Sequence, residues 1–228
     1  ALTGCPIPIV QPDAAGEGLG EGWEYVFDGP AGLHGITFHG SELWAVGRSD
    51  DSIYQISTTD GSISNTLPAP TTGNSGTGLT SDGTSLWYVH DSSSGTGLTV
   101  YELDPTDGSE LSSFASPTSS DSTGLTWDDT YLWVTGFGEP YYQFGTTGST
   151  ISSIPMIVSD AEGLTYANGY LWNQDLGGTV RKIDPSDGSV LYQEDTGVTD
   201  GRGLAFDGTY LWMSGDGGAF YRKDISGL

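Results

Sequence analysis

The chain has 228 residues, of which 30 are Asp or Glu and 6 are Lys or Arg, for a formal net charge of -24. So acidic a body has no cationic face to offer phosphates, which excludes nucleic acid and anionic membrane surfaces as expected partners. The length suits one sizeable domain, and no apolar run reaches the roughly 18 residues of a membrane-spanning helix, so membrane insertion is not expected.

Residues 1–21 read as an extended arm. Cys5-Pro6-Ile7-Pro8-Ile9-Val10-Gln11-Pro12 alternates proline with apolar residues, which holds the backbone extended and forbids helix. Cys5, Ile7, Ile9 and Val10 need a surface to cover them. Two placements are open: along the chain's own domain, or on a neighbouring copy by edge pairing or groove insertion, which would link subunits into a chain. Cys5 is the single cysteine, so no internal disulfide forms. Leu2-Thr3-Gly4-Cys5 is similar to a lipoprotein cleavage box, although the presence of Ala1 to Gly4 speaks against that processing. A start at Ala1 suits a signal peptide already removed, and the expected location is secreted, extracellular or on the cell surface.

Gly22-Trp23-Glu24-Tyr25-Val26-Phe27 reads as a strand rich in aromatic residues. After it, five segments share one frame, opening at Gly35 (GITFHGSELW), Gly78 (GLTSDGTSLW), Gly124 (GLTWDDTYLW), Gly163 (GLTYANGYLW) and Gly203 (GLAFDGTYLW). In each copy the opening Gly stands nine residues before a Trp. The frame is a β-hairpin whose turn holds Gly40, Gly83, Asp129, Asn168 or Gly208 at one aligned position. Those are the residue types that tolerate positive φ. A third strand follows each Trp, such as Val100-Tyr101-Glu102-Leu103. Then come a turn, such as Asp107-Gly108-Ser109, and a fourth strand, such as Val190-Leu191-Tyr192.

Successive frames start 43, 46, 39 and 40 residues apart. Four strands at a period near 40 are the mark of a β-propeller blade. The last frame ends at Leu228 after a third strand, and the strand at residues 22 to 27 supplies its fourth. The chain is therefore expected to be all-β: a five-bladed β-propeller of four-stranded antiparallel blades over residues 22–228, closed by pairing the N-terminal strand with the C-terminal blade.

The Gly-Leu-Thr, Leu-Trp and Asp-Pro-x-Asp-Gly elements (Asp104 to Gly108, Asp184 to Gly188) resemble the blades of extracellular bacterial and archaeal β-propeller proteins. The resemblance implies the fold. It leaves the function open among lectins, glycan-processing enzymes, glutaminyl cyclase-like and streptogramin lyase-like enzymes and scaffolds, since one fold hosts many activities.

On a propeller, the residue before each repeated Gly and the residues three and four after each Trp share one face around the central channel. His34, Thr77, Thr123, Glu162 and Arg202 occupy the first position. Arg48, His90, Asp91, Asp175 and Asp216 come from the second set. His34, Arg48, His90, Asp91, Glu162, Asp175, Arg202 and Asp216 are thus the candidate binding face, able to act as acids, bases or ligands for a sugar or cation. The bland alternatives are unconstrained loops and a Glu162–Arg202 ion pair at the mouth. The five repeated Trp residues read as packing between blades, and Trp23 and Trp127 as off-pattern contacts. No catalytic residue stands out: there is no Gly-x-Ser-x-Gly elbow, phosphate loop or His-Glu-x-x-His helix. The Asp-Pro-x-Asp-Gly loops lack the ligand spacing of a calcium loop. No cofactor or metal ligand set is expected, although calcium is compatible with so acidic a surface. The leading expectation is a non-catalytic interaction or structural module, partnered by itself, another extracellular protein or a glycan. An enzyme using the channel face and a lectin with pockets between blades are the rivals.

Overall fold

The computed structural model describes residues 18–72, 76–90, 98–215 and 217–228, and among them there is no helix. Asp91, Asp216 and the arm residues Cys5, Ile7, Ile9 and Val10 lie outside the described residues. Five four-stranded antiparallel sheets form the ring. After Trp23–Asp28 (β1), blade 1 is Leu33–His39 (β2), Glu42–Gly47 (β3), Ser52–Ile56 (β4) and Ile63–Pro68 (β5). Blade 2 is Gly76–Ser81 (β6), Leu86–His90 (β7), Thr99–Leu103 (β8) and Glu110–Ala115 (β9). Blade 3 is Ser122–Trp127 (β10), Leu132–Gly136 (β11), Tyr141–Phe144 (β12) and Thr150–Ile154 (β13). Blade 4 is Ala161–Ala167 (β14), Tyr170–Asp175 (β15), Thr179–Ile183 (β16) and Val190–Asp195 (β17). Blade 5 is Gly201–Phe206 (β18), Tyr210–Gly215 (β19) and Ala219–Asp224 (β20), with β1 as its outer strand.

The ring closes as the chain pattern predicts, with β1 antiparallel to β20 in the register Trp23↔Lys223, Tyr25↔Tyr221 and Phe27↔Phe220. Polar contacts lock the closure to blade 4. Trp23 Nε1 donates to Glu194 Oε1 at 2.8 Å. Lys223 Nζ pairs with Glu194 Oε2 at 2.6 Å and donates to the Glu21 carbonyl at 2.7 Å.

Each turn between the first two strands takes its aligned residue into the left-handed region: Gly40, Gly83, Asp129, Asn168 and Gly208 all have positive φ. In three blades an Asp organises this turn. Asp128 Oδ1 accepts the amides of Thr130 and Tyr131, and its Oδ2 accepts Trp133 Nε1 at 2.7 Å. Asp82 with Trp87 and Asp207 with Trp212 repeat the arrangement. In blades 1 and 4 the aligned residues are His39 and Ala167, and the buried Nε1 atoms of Trp44 and Trp172 have no hydrogen-bond partner.

The repeated Trp residues pack between blades rather than within them. Trp44 lies with Leu79, Leu86 and Leu103 of the next blade, Trp87 with Leu125 and Leu132, and Trp133 with Leu164 and Leu171. Trp172 lies with Leu204 and Leu211, and Trp212 with Leu33 and Ile36 across the closure. Five such seams take the place of one central core. Each indole removes 150–250 Å² from water, a transfer free energy on the order of 5 kcal/mol.

At the axis the repeated glycines let the inner strands meet. A Cβ on Gly35 would lie 2.5 Å from the Leu79 amide nitrogen, and one on Gly163 2.8 Å from that of Leu204. On Gly203 it would lie 2.3 Å from the His34 carbonyl oxygen. Gly35, Gly78, Gly124, Gly163 and Gly203, with the Leu or Ile beside each, surround an axial space with no room for a water molecule. The propeller is thus plugged at that level.

Candidate functional site

The mouth of the ring lies at the start of each inner strand, where the residue before the Gly reaches toward the next blade. Thr77 Oγ1 donates to the Ser122 carbonyl at 2.5 Å, and Thr123 Oγ1 to the Ala161 carbonyl at 2.6 Å. These two positions are small rivets between blades. The same position carries Glu162, Arg202 and His34 on blades 4, 5 and 1, so the ionisable groups fall in one sector.

Within that sector Arg202 Nη1 donates to Glu162 Oε1 at 3.1 Å, the expected ion pair across the blade 4 to blade 5 junction. Glu162 is 2 % exposed. Desolvation outweighs the pull of Arg202 and, further off, Arg48, and holds its carboxyl up at about 7. His34 is buried and its Nδ1 has no partner. Burial first, then the positive fields of Arg48 and Arg202, push its imidazole down to about 3, so it is neutral across the physiological range.

The structure therefore places both His34 and Glu162 within electrostatic reach of Arg48 and Arg202. Two others have contacts within their own blades. His90 is buried with its ring 6.1 Å from that of Tyr101 on its own blade. Asp175 is tied down in blade 4, accepting the Thr179 amide at 2.9 Å and pairing with Arg181 at 2.6 Å. Among the described residues no group of three or more His, Cys, Asp or Glu side chains is placed to hold a metal ion.

Beneath Glu162 lie two polar residues that the reading of the sequence passed over. Asn173 and Gln174 are fully buried. Asn173 Nδ2 donates to the Gly163 carbonyl at 2.9 Å, and Gln174 Nε2 contacts Met213 Sδ at 2.8 Å, a weak acceptor. Their side-chain oxygens have no partner. A signal was available: after the repeated Trp the other blades carry Ala45-Val46, Tyr88-Val89, Val134-Thr135 and Met213-Ser214, and only blade 4 puts two amides there.

At the opposite end of the ring, two open clefts occupy equivalent junctions. One, of about 340 Å³, lies between blades 5 and 1 and is lined by Phe38, Ser41, Asp207, Tyr210, Trp212 and Arg222. The other, of about 470 Å³, lies between blades 2 and 3 and is lined by Asp82, Trp87, Glu102, Ser112, Phe114 and Thr146. They match the place a lectin would use, but the aromatic wall is mostly spent. Trp87 and Trp212 are 1 % and 2 % exposed. The Arg222 guanidinium already covers Tyr210 at 4.5 Å from the ring centroid and is itself held by Glu24.

No family model and no curated relative matches the sequence. Solved structures match the fold. The glutaminyl cyclase of Myxococcus xanthus superposes with a TM-score of 0.75 at 16% identity, over 90% of this chain and 97% of that one. Virginiamycin B lyase from Staphylococcus aureus gives 0.57 at 15% identity, over 86% and 81%. The computationally designed Ika8 protein gives 0.51 at 14% identity, over 88% and 61%. At such identities the likeness establishes a β-propeller and carries nothing about chemistry.

Proposed function

We propose that the protein is a secreted, non-catalytic propeller that serves as an extracellular interaction or structural module and self-associates through its N-terminal arm into filaments or a surface layer. The observation that carries this reading is on the rim. Blades 1 to 4 each leave large aliphatic side chains exposed on an outermost strand: Ile63 on β5, Leu111 on β9, Ile151 on β13, and Val190 with Leu191 on β17. Outermost strands have an unpaired edge, and apolar residues there favour association with a further strand. The mouth, by contrast, has its acid engaged by Arg202 and its histidine held neutral. A net charge of -24 suits surroundings rich in salt or calcium, which screen repulsion between copies.

The test compares the full chain with one lacking residues 1–17, by light scattering and negative-stain microscopy. Assembly of the full chain and monodisperse particles of the shortened one are expected. Equal assembly by both refutes the role of the arm.

One observation favours an enzyme as a second reading: a buried carboxyl held at about 7 at the mouth of the ring suits proton transfer at neutral pH. Because the Myxococcus protein of like fold is a glutaminyl cyclase, the substrate to try is a peptide with N-terminal glutamine. Release of ammonia by the native chain and its loss in Glu162→Gln would support this reading, and no release would remove it.

A further inference from the structure

Charge is distributed unevenly in this chain. Residues 140–159, which hold β12, its turn and β13, contain no Asp, Glu, Lys or Arg. The equivalent hairpins of blades 1, 2 and 4 carry Asp60, Asp107 and Asp187 in their turns. β9, β17 and β1 also have charged residues within the outer strand itself: Glu110, Glu194 with Asp195, and Glu24 with Asp28. Charges on an edge strand deter another chain from pairing with it. β5 is uncharged too, but it holds Pro68 and has Asp60 in its turn, so blade 3 has the least protected rim. Ile151 on β13 and Met156 just beyond it are exposed apolar side chains. Thr150, Ile151, Ser152 and Ser153 are all exposed along β13.

The arm has the complementary property. Residues 1–12 contain no charged side chain, in a chain with 30 acidic residues. In an extended strand the backbone N–H and C=O of alternate residues point to opposite edges. Pro6, Pro8 and Pro12 all fall on one edge, and Cys5, Ile7, Ile9 and Gln11, each with an intact N–H, on the other. Such a strand can pair fully along one side and is a poor template on the other, where Val10 is the one donor among three prolines. It is built to end a sheet. The arm also departs from the rim, because Gly20 N donates to the Thr196 carbonyl just beyond β17 and Leu19 packs beside Trp23.

We propose that residues 5–11 of one copy add as a fifth strand to the free edge of β13 in a second copy, through the donors of Cys5, Ile7, Ile9 and Gln11. This rests on the self-association reading above and names its acceptor. Two bodies of charge -24 meet where neither contributes charge, and the proline edge caps each joint. A contact passed on from copy to copy in this way is head-to-tail and builds a filament where the rotation does not close, whereas two copies that exchange arms reciprocally would form a closed pair.

The single native cysteine makes the proposal testable on the full chain. A Cys5→Ser chain carrying Thr150→Cys or Ser153→Cys, at the two ends of the β13 edge, is mixed with the unmodified chain and oxidised gently. The expected product is a disulfide between Cys5 of one chain and position 150 or 153 of the other, at least fivefold more abundant than with Ile63→Cys or Thr66→Cys on β5. Ser152→Lys should weaken assembly about tenfold and Ser64→Lys should leave it unchanged. Cross-links favouring β5, or equal on both edges, overturn the assignment to β13 even where removal of residues 1–17 abolishes assembly. Assembly that survives that removal sinks the arm hypothesis as a whole. A disulfide formed only within single Cys5-containing Thr150→Cys or Ser153→Cys chains shows the arm folding back on its own blade, which also overturns the proposal.

Discussion

Replacing Gly203 by Ala tests whether the axial glycines hold the ring together. The added methyl would lie 2.3 Å from the His34 carbonyl oxygen, 2.9 Å from the Ile36 amide nitrogen and 2.9 Å from Ile36 Cγ1. Two of those atoms are backbone of the next blade's inner strand, which is fixed by its own ladder with β3. Relief therefore requires blades 5 and 1 to separate, across the seam where Trp212 packs on Leu33 and Ile36. Overpacking of this kind costs about 1–3 kcal/mol, and a rigid backbone neighbour puts Gly203→Ala at the upper end. For a domain of this size about 3 kcal/mol lowers the melting temperature by roughly 6–12 °C. The control is Gly145→Ala, whose methyl would meet only the Ser149 carbonyl oxygen at 3.9 Å and which needs no positive φ. It should be neutral within about 0.5 kcal/mol. Urea melts followed by tryptophan fluorescence read both variants. Equal midpoints for the two would refute the claim that inter-blade contact at the axis requires glycine.

Stability should depend on pH through the mouth. The folded Glu162 carboxyl sits at about 7, above its ordinary 4.5, so its contribution is full below 4.5 and is lost as pH rises through 7. His34, moved from 6.5 to about 3, contributes fully above 6.5 and loses that contribution as pH falls through 3. The two slopes oppose each other between 4.5 and 6.5. Urea midpoints should be level there, fall as pH drops from 4.5 towards 3, and fall between 6.5 and about 7, above which neither group adds a slope; in Glu162→Gln the neutral fall should vanish and midpoints should rise from 4.5 to 6.5. An unchanged fall in that variant would show that other groups cause it. Asp128→Ala strips Trp133 Nε1 and two turn amides of their acceptor. A cost of about 2–3 kcal/mol in a thermal melt is expected, and less than 1 would mean that water takes over the carboxylate's role. Lys223→Ala leaves Glu194 with Trp23 and Tyr192 as its partners among the described residues. Amides of β1 should then exchange at least tenfold faster with solvent than those of β14, and equal rates would deny the latch a part in closure.

The architecture was legible in the sequence because a propeller repeats a local pattern. A Gly nine residues before a Trp, a turn residue suited to positive φ, and a third strand after the Trp each follow from backbone conformation and alternation within a few residues. The missing fourth strand of the last blade then left residues 22 to 27 as the only filler. What the glycines of the frame do was not legible. Their role lies between blades, in atoms about 40 residues away in the chain such as the Leu79 amide beside Gly35. The same holds for the mouth. Adjacency of Glu162 and Arg202 follows from blade order, whereas the neutrality of His34, the locking of Asp175 by Arg181 and the burial of Asn173 and Gln174 depend on how far neighbouring sheets exclude water. The sequence by itself determined the strands, their number and the closure of the ring, since these are set by short-range backbone preferences. Only the tertiary structure decided that the axis is plugged, that His34 is held neutral and that Asn173 and Gln174 are buried. Those properties arise from distances between residues that the chain order does not constrain.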